Sequence, residues 1–240
     1  MIFYTILAIL TSCIISADFQ QDAKDILNGI IERSTGFSYS SVLEIVEENR
    51  GIKMEAIKAK IHVNIIESDT LEMLSTVELI LPEKLTGTRI LEYKYNEGKR
   101  KRLLKLPNDI IEDISNDSFY SNLSLDFESI ENNINNCTNS ITSNNIKERF
   151  LIVESVCSDL TVKRRLIKFD YSKNLMANIK EYSRTGKLIK KISFLNYTVE
   201  GSWAFPLEVL IDEPRKRKTT SIKFKEFKFE NKKMRETFNE

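Results

Sequence analysis

From Phe37 to the carboxyl end, apolar and polar residues alternate at every second position in run after run, and nothing else in the sequence constrains the fold as strongly. In MEAIKAKIHVNI, Ile57, Ala59, Ile61, Val63 and Ile65 fall on one face, with Lys58, Lys60, His62 and Asn64 on the other. Successive side chains of a strand point to opposite faces, so this is the pattern of a half-buried antiparallel strand. It returns in TLEMLSTVELIL, TRILEYKY, KRLLKLP, RFLIVESV, RRLIKFDYS, NIKEYSRTG, KKISFLNYTV, PLEVLIDE and SIKFKEFKFE. Turn-forming ENRG, NEGK, LPND, SRTGK, VEGS and DEP separate these runs. About ten short strands at hairpin spacing make a sheet too large to stay flat, so a mainly β fold with helices is expected, curled into an open or closed barrel.

Two stretches depart from the period of two. In DFQQDAKDILNGIIERSTG, Ala23, Ile26, Leu27, Ile30 and Ile31 lie at helical spacing and Gly36 follows where a helix can stop, which predicts an amphipathic amino-terminal helix. Between Asn116 and Asn136 the alternation lapses into an Asn- and Ser-rich excursion, in which LDFESIENNI is expected to form a short helix crossing the sheet.

The first segment, MIFYTILAILTSCIISADF, is apolar from Ile2 to Ile15 and turns polar after Ala17. It is too short for a membrane span of about twenty residues and reads as a secretory signal over residues 1–17, with a single domain over 18–240, although its start lacks Lys and Arg. Two processing routes compete: a cut after Ala17, or a lipobox LTSC that makes Cys13 the acylated first residue. The IISA behind Cys13 prolongs the apolar run and favours the cut. Export leaves Cys137 and Cys157 in an oxidising compartment, flanking a turn signal between two strand-like runs. They pair across a hairpin centred near Lys147, or they are two unrelated buried thiols.

The chain has 36 Lys and Arg against 35 Asp and Glu, a formal net charge of +1, which argues against a dedicated nucleic-acid binder. The basic clusters Lys99–Arg102 and Arg215–Lys218 read as solvated turn flanks. Enzyme chemistry finds little to build on. The single histidine, His62, sits on the polar face of its strand, and there is no CxxC, Gly-rich phosphate loop, GxSxG or HExxH, hence no cofactor or metal motif. The carboxylate pairs Glu47 with Glu48 and Asp126 with Glu128 lie in ordinary surface or turn contexts. Alternation alone favours a filled core over a ligand cavity.

The order of the motifs is more specific than any one of them. LPEKLTGTRILEYKYNEGKRKRLLKLPNDIIEDIS followed by SFYSNLSLDFESIE resembles the outer-membrane lipoprotein-sorting protein family, the LolA-like carriers and their relatives. The matching positions are Pro82, Gly87, Thr88, Leu91, Tyr93, Leu106, Pro107, Ser118, Phe119, Asp126, Phe127 and Ile130, with Trp203 and Pro206 in the later GSWAFPLEVLI. YSNLSL stands where the family has a Gly-rich approach to Asp-Phe. The resemblance implies an incomplete, curved antiparallel barrel with helices over its open face, carrying lipoprotein acyl chains through the periplasm from inner-membrane release machinery to an outer-membrane acceptor. Such a chain needs shelter, since each methylene exposed to water costs about 0.8 kcal/mol and a long chain roughly 10 kcal/mol. The faces expected to line the cavity are Ile57, Ile61 and Val63, then Val77 and Leu79, then Leu91 and Tyr93; Ile26, Ile30, Phe119, Phe127 and Ile130 would cover it. Two other readings stay open: a tethered lipid- or peptide-binding sensor acylated at Cys13, and a structural envelope protein with a filled barrel.

Overall fold

In the computed structural model the described residues are 22–30, 32–34, 36–66, 68–96, 99–115, 137–145, 149–157, 162–170, 172–173 and 175–230. Residues 22–30 and 32–34 are helical (α1). Among the described residues fourteen strands follow: β1 (Ser38–Asn49), β2 (Ile52–Lys53), β3 (Ile57–Ile65), β4 (Leu71–Leu81), β5 (Arg89–Tyr95), β6 (Arg100–Lys105), β7 (Ile111–Asp113), β8 (Cys137–Asn145), β9 (Phe150–Cys157), β10 (Arg164–Asp170), β11 (Leu175–Tyr182), β12 (Leu188–Glu200), β13 (Trp203–Glu213) and β14 (Lys218–Glu230). The expected mid-chain helix, LDFESIENNI at 125–134, lies outside the described residues, as do Phe119, Phe127 and Ile130.

The strands form one antiparallel sheet, and the chain divides into two compact units, residues 1–34 with 126–193 and residues 35–125 with 194–240. The second unit holds the order β7-β6-β5-β4-β3-β1-β14-β13, with β2 paired to β1. The first holds β11-β10-β9-β8 and the opening half of β12, which continues into the second unit. Neighbouring strands are mostly hairpin partners. At the β1–β2 turn, Asn49 pairs with Ile52 across Arg50 and Gly51. Both turn residues have positive φ, 52° and 81°, as a two-residue loop matched to strand twist requires.

In the first unit, Ala23, Leu27 and Ile30 make the buried stripe of α1, and Arg33 donates to the Lys173 carbonyl at 3.2 Å. Ile26 on the same helix is half-buried. The strands bury Val153, Ile167, Ile179 and Ile192 in one cross-strand row, with Phe169 and Met176 beside it. Cys137 and Cys157 face each other across β8 and β9 and form a disulfide.

The second unit carries an irregularity with consequences for packing. Between Ser40 and Val42 the β1–β14 register shifts, and Ser41 stands opposite two residues, Glu226 and Phe227. Glu226 takes a left-handed φ of 53°, the mark of a β-bulge. Ser41 occupies the gap, its hydroxyl donating to the Lys225 carbonyl at 2.8 Å. The extra residue reverses the parity of β14, so that Ile222, Phe224, Phe227 and Phe229 all reach one face.

A candidate ligand-binding face on the second unit

Register assembles that face row by row. Val209, Ile222, Ile45 and Ile57 form one row, and Phe224, Leu43, Ala59 and Leu79 the next. A third runs Ser41, Ile61, Val77, Ile90 and Leu104; a fourth runs Phe229, Tyr39, Val63, Ser75, Glu92 and Arg102. Ile90 and Leu104 pack with Ile114, flanked by Val77 and Leu106.

Rings dominate the β13–β14–β1 side. Phe205 stacks on Phe227 with centroids 4.6 Å apart and meets Phe224 edge-on at 4.8 Å. Tyr39 packs on both Phe205 and Phe227, while Phe37 touches Trp203 and Phe229. Each such pair adds about 0.5–1.5 kcal/mol beyond its buried area.

The β5–β6 side of the same face is charged. Glu92 on β5 takes a hydrogen bond from Arg102 Nε at 3.2 Å and a second, short one from Arg100. Lys94, in the next register row, donates to Glu72 at 2.8 Å. Glu92 and Arg102 are each only 8% exposed, a depth at which a charge needs a partner. The Arg102 backbone is held as well, its N–H donating to Ser115 Oγ, whose hydroxyl donates to Asp113. That hydroxyl bond, with a backbone bond from Ser115, holds the Asp113 carboxyl below the usual range. Burial, and secondarily the negative Glu92, push the Tyr39 phenol well above the ordinary tyrosine range.

Five of the seven sequence-predicted lining residues share this face: Ile61, Val63 and Leu79 are buried, and Ile57 and Val77 half-buried. Leu91 and Tyr93 do not. The ladder pairs Leu91 with Thr76 and Tyr93 with Leu74, which puts them on the opposite face, while Ile90 and the buried Glu92 point with Val77 and Ser75. Apolar residues occupy both faces of β5, so hydrophobicity alone selects the wrong one. The cluster Lys99–Arg102 also needs correction: Arg100 and Arg102 are core-facing partners of Glu92, because β6 alternates them with Lys101 and Leu103. Arg215–Lys218 does flank the β13–β14 turn, with Lys216 bridged to Glu213 and Lys218 to Glu47. His62 is exposed on the far face of β3. Cys13 lies outside the described residues. The ring cluster went unread in the sequence; its one local signal is the spacing of Phe224, Phe227 and Phe229, which breaks the period of two.

No family model matches the sequence, and no curated protein matches it. Among solved structures, the chain matches a DUF1329 family protein from Desulfovibrio piger with a TM-score of 0.71 at 15% identity, over 89% of this chain and 94% of that one. A proposed outer membrane lipoprotein-sorting protein domain from Vibrio parahaemolyticus follows at 0.69 and 15%, over 88% and 94%. A LolA superfamily protein from Nitrosomonas europaea gives 0.61 and 14%, over 87% and 94%. These likenesses establish the fold.

Proposed function

We propose that this chain is a periplasmic carrier that holds the acyl chains of lipoproteins, or of a related lipid, against the buried face of the second unit and moves them toward the outer membrane. The observation that carries this reading is the set of contiguous apolar rows from Val209 to Leu104, with seven aromatic rings at one side. The fold likeness and the lipoprotein-sorting role named for the Vibrio parahaemolyticus domain support it. So does the Cys137–Cys157 disulfide, which suits an oxidising compartment.

The work is non-covalent. In the ligand-free state the rings satisfy one another; an acyl chain exchanges ring–ring contact for ring–methylene contact of similar strength. Loading and release then sit near balance, which a carrier needs, since a ligand shifts an equilibrium only by its differential affinity for the two states. Release from an inner-membrane donor and capture by an outer-membrane acceptor complete the cycle.

The test is native mass spectrometry of the mature protein from its envelope fraction, with organic extraction and intact mass of the amino terminus. Stoichiometric acyl lipid or lipopeptide on a chain starting at Asp18 supports the carrier. An empty protein that also refuses added lipopeptide defeats it, and an acylated Cys13 assigns the chain to a tethered receptor.

A further inference from the structure

One end of the second unit exposes apolar side chains that the sheet face does not use. Ile52 on β2 is 68% exposed, and Met54 just after it 54%. Both follow the two-residue β1–β2 turn, where the space beside Gly51 is open: a Cβ there would meet no atom within 4 Å. We infer that this tip is a membrane-docking site: Ile52 and Met54 enter the interface of an anionic lipid bilayer, and the cations around them meet its head groups.

Two turns build the site together. The Arg50 N–H donates to the Arg217 carbonyl at 2.8 Å, which ties the β1–β2 turn to the β13–β14 turn, and Asn49 stands between Ile52 and Lys218 in the ladder. Across Glu47–Glu55 and Glu213–Lys218 the sequence sets six cations against four carboxylates, in a chain whose whole net charge is only +1. Lys216 engages Glu213 at 2.7 Å and Lys218 engages Glu47 at 2.6 Å, while Glu48 stands opposite Lys53 and Glu55 is exposed past Met54. Arg50, Lys53, Arg215 and Arg217 all reach solvent. An apolar tip ringed by cations suits a bilayer surface, where apolar side chains sink about 5–10 Å and each basic residue near the head groups adds attraction to anionic lipid.

The residues chosen for the turns point the same way. Arg50 and Arg217 have φ of 52° and 53°, left-handed backbone that Gly or Asn adopts with least strain. Arginine at both positions adds nothing to turn formation; head-group contact gives it a use. A second exposed apolar pair in the same unit, Ile110 and Ile111, is flanked by Asp109, Glu112 and Asp113, so carboxylates stand there where the tip has cations. Docking does not depend on what the sheet carries; on the carrier reading it brings the apolar rows to their lipid source. Ile45, in the row with Val209, Ile222 and Ile57, lies four residues from Asn49, roughly 13 Å along β1, which is within the depth of about 15 Å of one bilayer leaflet.

The test is co-sedimentation of the mature chain with vesicles of equal parts phosphatidylglycerol and phosphatidylcholine, and with vesicles of phosphatidylcholine alone. Binding to the anionic vesicles is expected to be about tenfold tighter and to weaken as salt is added. Ile52→Ser with Met54→Ser should lower it about tenfold. Arg50→Asn with Arg217→Asn, which suits the left-handed backbone while removing two charges, should also lower it about tenfold. Ile110→Ser with Ile111→Ser should match the parent. Because every substituted side chain is exposed, the unfolding midpoints should stay at the parent value. Absence of vesicle binding, binding unmoved by both tip variants, or an equal loss in the Ile110 and Ile111 variant would overturn membrane docking. Titration of the same proteins with monomeric dioctanoyl phosphatidylglycerol keeps the two readings apart. Vesicle docking without uptake of that lipid would defeat the carrier and leave docking standing; uptake without docking would do the reverse.

Discussion

The buried faces of the two units share a plan and differ in filling. Each sets a glutamate between two cations: Glu181 with Arg165 at 2.8 Å and Lys190 at 3.9 Å in the first, Glu92 with Arg102 and Arg100 in the second. Around Glu181 the row is aliphatic, with Val153, Ile167, Ile179 and Ile192 all under 5% exposed, and the edge strand β8 is tied to β9 by a disulfide. β-Branched side chains have little rotamer freedom, so such a row is a fixed filling. Beyond Glu92 the second unit offers flat rings across a bulged strand pair, a filling that can part along ring faces. On the proposed function, the first unit is the scaffold and the second is where a ligand enters.

Four changes would break or sharpen that contrast. The largest loss of stability is expected from Phe169→Ala in the first unit, about 3–5 kcal/mol in denaturant unfolding, since this fully buried ring leaves a cavity. Lipid affinity of the folded variant should match the parent, and a drop at equal foldedness would place ligand contact in the wrong unit. Replacing both Cys137 and Cys157 by Ser opens a loop with a sequence separation of 20 and should cost about 3 kcal/mol, read as a lower unfolding midpoint without change in lipid stoichiometry. Phe227→Ala acts in the other direction: the ring is only partly buried, so stability should fall by about 1–2 kcal/mol, while acyl-lipid affinity falls about tenfold.

The smallest effect is pH-dependent. Tyr39 keeps its proton in the fold because burial, then Glu92, disfavours the phenolate. Below the ordinary tyrosine pKa of 10.0 both folded and unfolded forms are neutral and nothing changes. Above it the unfolded chain loses the proton and the fold retains it, so stability declines as pH rises. Tyr39→Phe should therefore track the parent at pH 7–9 and become relatively more stable above about pH 10. Parallel curves through pH 11 would show that Tyr39 is not held neutral.

Much of this was legible in the sequence, for physical reasons that also mark where reading stopped. Strict alternation at Ala59, Ile61 and Val63 gives the buried face of β3 directly, and two cysteines flanking a turn suggested the pairing later seen across β8 and β9. β5 defeated the same rule, since Ile90 and Leu91 are equally apolar and only pairing through Val77 decides between them. Arg100 and Arg102 look like a solvated run until the register supplies Glu92. The ring cluster joins residues 37–39, 203–205 and 224–229, a long-range pairing that no local pattern contains, although the Glu226 bulge leaves its trace in the shifted spacing of the phenylalanines.

The chain's single tryptophan, Trp203, is half-buried and sits in this cluster, 5.5 Å from Phe37 and 6.3 Å from Phe229 between ring centroids. The most direct test of the account is therefore quenching of Trp203 fluorescence by lipids brominated along the acyl chain, compared with the same lipids unbrominated. Strong quenching is expected, saturating with the stoichiometry of binding and weakening in Phe227→Ala. Lipid that binds stoichiometrically yet leaves Trp203 emission indifferent to bromine would show that the acyl chain does not reach this face, and would contradict the central claim.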